Sequence, residues 1–158
     1  MKASPMQTQT SRRHFIASGA LAALLAGAGA ARADDKLKFD LAPYEKIPAV
    51  KFPWGWIRWV MNAEIDPQSE LTVGIVYVEA HQTNQLHIHP NSAEVMHVLA
   101  GACEHQTGKR WDKLKAGDTI RIPQNVPHHA RTAESPVLSM IIYNTGKRVM
   151  VPVAEDKA

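Results

Sequence analysis

An all-β sandwich or barrel is predicted for most of this chain, on three observations. Between Trp56 and Tyr143 the sequence falls into nine short runs rich in β-branched and aromatic residues. Turn-forming residues break these runs at spacings near ten residues, as strands of a sandwich or barrel require. No stretch with helical periodicity competes with them, so alternating strand and helix units are excluded.

The runs are 56–62, 71–79, 85–89, 94–99, 102–106, 110–114, 119–122, 128–132 and 137–143. The breaks between them are Asp66-Pro67, Thr83-Asn84, His89-Pro90-Asn91, Gly101, Thr107-Gly108, Ala116-Gly117-Asp118, the group Pro123, Asn125 and Pro127, and Ser135-Pro136. Each carries the glycine, proline, asparagine or aspartate that a turn needs. Residues 34–53 are proline-rich and lack periodicity, so they are read as an arm. The barrel domain is assigned to 54–150 and a tail to 151–158. There is no internal repeat and no low-complexity segment after Ala33.

A length of 158 residues and a composition of 45% hydrophobic with 21% charged residues suit one globular domain. The net charge of +3 is concentrated at the N-terminus, because residues 1–33 carry Lys2, Arg12, Arg13 and Arg32 and no acid. From Asp34 onward there remain 14 basic and 15 acidic side chains. Such a near-neutral body lacks the basic footprint of a nucleic-acid binder.

The first 33 residues have the order of a signal peptide: basic Arg12-Arg13, the small apolar run 17–31, then Ala31-Arg32-Ala33 as a cleavage site. Arg12-Arg13 followed by Phe15-Ile16 resembles the twin-arginine export signal. That resemblance implies export of an already folded protein to the periplasm, with cleavage after Ala33. The apolar run of roughly 15 residues is shorter than the ~20 that span a bilayer, so no membrane association is expected after cleavage. The single cysteine, Cys103, permits no intrachain disulfide.

Seven histidines follow the signal, at 81, 87, 89, 97, 105, 128 and 129. Residues two apart on a strand share a face, so His87 and His89 point the same way, about 7 Å apart at Cα by the strand rise. That separation suits two imidazoles converging on one ion. The four residues between His89 and Glu94 include Pro90 and Asn91, enough for the chain to turn and return with its carboxylate on the same face. His128 can supply a third imidazole from a distant strand.

At these residues the sequence resembles the cupin family. The first motif of that family reads here as His87-Ile88-His89, four residues, Glu94, six residues and Gly101. The second reads as Gly117, five residues, Pro123-Gln124-Asn125, two residues, His128 and then Thr132. Asn125 stands for a glycine, and asparagine tolerates positive φ best after glycine. Thr132 stands for an asparagine, and His81 for a glycine that opens the first motif. The resemblance covers about residues 70–145. It implies a cupin-type jelly-roll β-barrel, a single metal on His87, His89, Glu94 and His128, and a homodimer.

Three imidazoles and a carboxylate suit Mn, Fe(II), Co, Ni, Cu or Zn, whereas Ca and Mg prefer oxygen alone. Cu and Zn outcompete Mn and Fe wherever they are available. Folding before export, where free Cu and Zn are scarce, favours Mn or Fe. Four protein ligands leave positions open for water, O2 or a chelating substrate, as catalysis requires.

Other residues receive more ordinary readings. His97 alternates out of phase with Glu94, Met96 and Val98, and His129 lies on the opposite face from His128. His105 is read as solvated near the Thr107-Gly108 turn, and His81 as close to the barrel mouth. Gln85 shares parity with His87 and His89 and so enters the cavity. Met96 and Val98 pack beneath the site. Trp54, Trp56 and Trp59, with Arg58 among them, are read as packing rather than as a substrate platform. Cys103 is read as buried and inert.

No serine-nucleophile elbow and no phosphate-binding glycine loop occurs. No catalytic acid or base is assigned. Two functions fit: a metal-dependent enzyme acting on a small organic molecule, led by O2-dependent oxidation or cleavage with lyase, decarboxylase and isomerase chemistry as variants, or a non-catalytic periplasmic protein that uses the metal to hold a ligand.

Overall fold

The computed structural model describes residues 43–154, and the signal peptide expected at 1–33 lies outside them. A 3-10 turn, Tyr44–Lys46, precedes ten strands: β1 Ala49–Phe52, β2 Gly55–Met61, β3 Thr72–Val78, β4 His87–Ile88, β5 Glu94–Thr107, β6 Arg110–Lys115, β7 Thr119–Ile122, β8 His128–Arg131, β9 Val137–Tyr143 and β10 Val151–Pro152. All pairings are antiparallel. No α-helix occurs among the described residues.

Two layers share one long strand. The first layer runs β1-β2-β3-β9-β5, with β7 on the other edge of β5; the second holds β6, β5, β8, β4 and β10. Strand β5 belongs to both. Its first half pairs with β9 and β7, its second half with β6 and β8. The result is a curled all-β jelly roll whose inner faces meet in one core.

The sequence reading split β5 at Gly101, and the structure shows a bend there rather than an end. The β5–β9 register slips between Val98 and Ala100, and Gly101 adopts φ +76. A Cβ at Gly101 would lie 2.0 Å from the Pro136 carbonyl oxygen. Only glycine supplies both the left-handed backbone and the close approach. Gly101→Ala is therefore expected to cost about 3 kcal/mol or more, combining forbidden φ with overpacking against backbone. Urea unfolding checks this, and a variant with an unchanged midpoint would contradict the role given to Gly101.

The slip at Gly101 also changes which residues face inward. Before it Glu94, Met96 and Val98 are buried; after it Cys103 and His105 are. Val98 is wholly enclosed at 0% exposure, and with Met96, Ile120, Ile122, Val137 and Ile141 it forms the floor beneath the histidines. Burying each such side chain contributes about 1.5–3 kcal/mol.

Two further strands lie where no periodicity was read. β1 falls within residues 34–53 and forms a hairpin with β2, and β10 falls within 151–158 and pairs with β4. Neither alternates cleanly, because β1 is an exposed edge and β10 is only two residues long. The turns behave as their residues require. Asn125 takes φ +63, and His81 takes φ +59 where the cupin motif has glycine. Thr132 ties β8 to the chain after β3: its hydroxyl donates to the Glu79 carbonyl and accepts from the Gln82 amide.

Candidate metal centre

Strand geometry brings His87, His89, Glu94 and His128 together at one end of the cavity. The β4–β8 pairing sets His87 opposite His128, and the turn through Pro90 and Asn91 returns Glu94 at the start of β5. One donor atom from each of the four lies within 4.8 Å of the others, and all four residues are buried. His89 and His128 are each only 2% exposed.

Each imidazole is oriented by a backbone carbonyl. His87 Nδ1 lies 2.7 Å from the Gln85 oxygen, His89 Nδ1 2.7 Å from the Val149 oxygen, and His128 Nδ1 2.9 Å from the Val126 oxygen. A carbonyl can only accept, so Nδ1 carries the hydrogen in all three rings and the Nε2 lone pairs remain available. Those atoms face a carboxylate. Glu94 Oε2 is 3.1 Å from His128 Nε2 and 3.2 Å from His89 Nε2, and the latter has no hydrogen-bond partner.

Lone pairs set against a carboxylate repel unless a cation lies between them. One proton can serve a single pair, and His128 with Glu94 is that pair. Burial opposes charge on His128, but the adjacent Glu94 outweighs it and raises the imidazole above its ordinary value. Burial likewise works against the ionised Glu94, yet the hydrogen bond from His128 and the adjoining imidazoles hold its carboxyl well below the usual range. His87 is pushed the other way, down to about 3, by burial and then by His128. A single proton thus leaves two Nε2 atoms unserved, whereas a dication would serve all four donors at once. The donor set fits a divalent transition metal.

A cavity of about 150 Å³ adjoins the group. His87, Glu94 and His128 line it, and so do Val76, Val78, Met96, Val137 and Ile141, which make its walls apolar. An ion held by the four residues would supply Lewis-acid chemistry beside this cavity.

Two buried residues near the group escaped the sequence reading. Tyr143, 2% exposed, packs its ring edge-on against His89 at 4.7 Å and sits opposite Glu94 in the β5–β9 register. Burial, and then the Glu94 charge, push its phenol well above the ordinary value, so it stays a donor. Strand parity could have found it, since Val137, Ser139, Ile141 and Tyr143 all face inward along β9. Tyr143→Phe removes the phenol facing the same interior as Glu94, and metal affinity is expected to fall by about 10-fold. Competition against a chelator of known affinity measures this, and an unchanged affinity would contradict the role.

His105 is the second, and here the solvated reading is corrected. It is 2% exposed and lines the cavity, its ring 6.0 Å from that of His128, with Nδ1 hydrogen-bonded to Thr107. Burial lowers it to about 4, so it is neutral. The parity change at Gly101 turned it inward.

His97 points away from the group, bonded to Thr119, and His129 bonds to Gln106. His81 is an exposed turn residue 3.4 Å from Glu134, remote from the four. Gln85 is exposed at the cavity rim, and its contribution to the group is the carbonyl that accepts from His87. Trp56 stacks on Tyr77, while Trp54 packs on the core, stacks on Phe52 and lines the cavity. Arg58 lies over Tyr44 and Trp56. Cys103 is buried, and burial pushes its thiol up to about 11.

Residues 74–143 match the model of the Cupin domain family. Solved structures with the same fold include the oxalate decarboxylase of Lactobacillus farciminis in its formate complex, at TM-score 0.64 and 17% identity over 69% of this chain and 34% of that one. Another is the oxalate decarboxylase of Bacillus subtilis studied for its Mn(II) centres, at TM-score 0.62 and 18% identity over 66% of this chain and 29% of that one. The chain therefore spans about a third of the length of these enzymes. No curated protein matches it in sequence.

Proposed function

We propose that this protein is an exported, metal-dependent enzyme acting on a small organic molecule, with His87, His89, Glu94 and His128 as the metal ligands. The observation that carries the reading is the shared tautomer: three rings donate through Nδ1 to backbone carbonyls and turn their Nε2 lone pairs toward one carboxylate beside a cavity. Mn or Fe is the favoured metal, with Ni, Zn, Co and Cu as less favoured ones. Folding before export supports the choice, as do the Mn(II) centres of the Bacillus subtilis oxalate decarboxylase.

The bound ion would supply charge stabilisation and a place for substrate oxygen to bind. The chain's own residues do the rest. The three carbonyls fix the imidazole planes, Tyr143 packs against His89, and the apolar walls exclude bulk water. His105, neutral and lining the cavity, is placed to hydrogen-bond a bound substrate. O2-dependent oxidation or cleavage is the leading reaction. Decarboxylation is its nearest rival, supported by the resemblance in fold to oxalate decarboxylases.

Turnover decides between an enzyme and a ligand-binding protein. Protein loaded with Mn or Fe(II) is to be incubated with catechol, flavonol, diketone and oxalate while O2 uptake and CO2 release are followed. Turnover of any of them supports the enzyme; saturable binding without turnover of any supports the binding protein. The basic pair Arg12-Arg13 before an apolar run supports periplasmic export, to be tested by fractionating cells with and without that pair. Exposed Val50 and Phe52 on the edge strand β1 support a homodimer, which light scattering would measure directly.

A further inference from the structure

We propose that the cavity takes a short organic monocarboxylate with an apolar body, whose carboxylate is held by Arg148. The inference rests on the reading of this cavity as the substrate site, and deepens it by naming the substrate class.

Arg148 lies in the irregular segment after β9 and lines the cavity. Its guanidinium stacks over Trp59 at 4.8 Å and over Tyr143 at 5.1 Å from the ring centroids. Two aromatic faces fix its plane and leave its N–H edges free. Among the described residues no carboxylate lies within 4.0 Å of it. A half-buried, oriented and uncompensated guanidinium beside an apolar cavity is costly unless an anion completes it. Its fork matches a carboxylate in bidentate geometry.

The position relative to the histidines sets the length of the ligand. Arg148 Cζ is 5.1 Å from the Tyr143 ring, which is itself 4.7 Å from the His89 ring, so a small molecule can reach from one to the other. A void of about 150 Å³ holds a molecule of roughly benzene's size. Val76, Val78, Met96, Val137 and Ile141 favour carbon over further charge. Ser139 Oγ, also in the cavity wall, is buried with no hydrogen-bond partner and offers one polar contact.

The test uses the Mn(II)-loaded full chain and titration calorimetry with butyrate, isovalerate, 2-oxobutyrate and benzoate, each beside its primary amide. At least one carboxylate is expected to bind tenfold or more tightly than its amide. Arg148→Gln and Arg148→Met should each lower that ratio at least fivefold while Mn content stays unchanged; either variant that keeps its Mn suffices. Failure of every carboxylate to bind, a ratio near one in the wild type, or a ratio that survives both substitutions would overturn the proposal. Inorganic phosphate binding more tightly than all four carboxylates would do the same, since the apolar walls contribute nothing to it. Mn content on the same samples separates the two readings. One Mn per chain without carboxylate preference sinks this inference alone, and carboxylate preference without retained metal sinks the metal reading alone.

Discussion

Replacing His128 with alanine is expected to reduce bound metal from one ion per chain to a small fraction of that. It should also erase the rise in melting temperature that Mn(II) gives the wild type. An ion present at 100 times its dissociation constant stabilises the folded chain by about 2.7 kcal/mol, which for a domain of this size is a rise of about 10 °C. His128 is the residue whose loss does most harm, because it is the closest imidazole to Glu94 and the one opposite His87 across the β4–β8 pairing. The metal-free variant should itself be less stable by about 3 kcal/mol, since a buried carboxylate loses its partner. His87→Ala should match it in metal loss. His97→Ala should retain the ion, because His97 points away toward Thr119. Elemental analysis and thermal unfolding read all three, and one ion per chain in both His87→Ala and His128→Ala would refute the ligand assignment.

Acid should unfold the metal-free protein well before its carboxylates are exhausted. Burial lowers His105 to about 4 and His87 to about 3, whereas both titrate near 6.5 in the unfolded chain. Between those values the unfolded state binds protons that the folded state refuses, so stability is present above pH 6.5 and lost as pH falls toward 4. Each histidine contributes about 1.4 kcal/mol per pH unit, so the pair removes about 5 kcal/mol by pH 4.5. That is a large share of the 5–15 kcal/mol typical of a domain. His128 has the opposite sign. Its raised value stabilises fully below pH 6.5 and loses that contribution only as pH rises through the folded value. Urea midpoints of chelator-treated protein from pH 7.5 to 4.5 measure the slope, and His105→Gln should remove roughly half of it. A flat profile would contradict the burial of these rings as neutral imidazoles.

The strands and the four clustered residues were legible because both depend on short-range rules. Alternation reveals a half-buried strand, and two histidines two apart on one strand must share a face, so β2 through β9 and the pair His87 and His89 could be read directly. His128 and Glu94 needed the cupin motifs, since spacing alone does not say which strands will be neighbours. His105 was read as solvated from its nearness to the Thr107-Gly108 turn, and it is buried instead. The bulge at Gly101 reverses the inward face, and nothing local announces a reversal. Arg148 was invisible for a different reason: it lies in a segment held by single contacts, such as Asn91 to Lys147 and Val149, rather than by a periodic pattern. His81 shows the converse case. A histidine in a glycine position looked close to the barrel mouth, and its φ of +59 accounts for it as a turn residue instead.

The central claim is that four side chains form one metal site, and anomalous diffraction from crystals grown with Mn(II) tests it most directly. One strong peak per chain is expected, within bonding distance of Nε2 of His87, His89 and His128 and of a Glu94 carboxylate oxygen. No peak among these residues, or a peak held by other side chains, would contradict it.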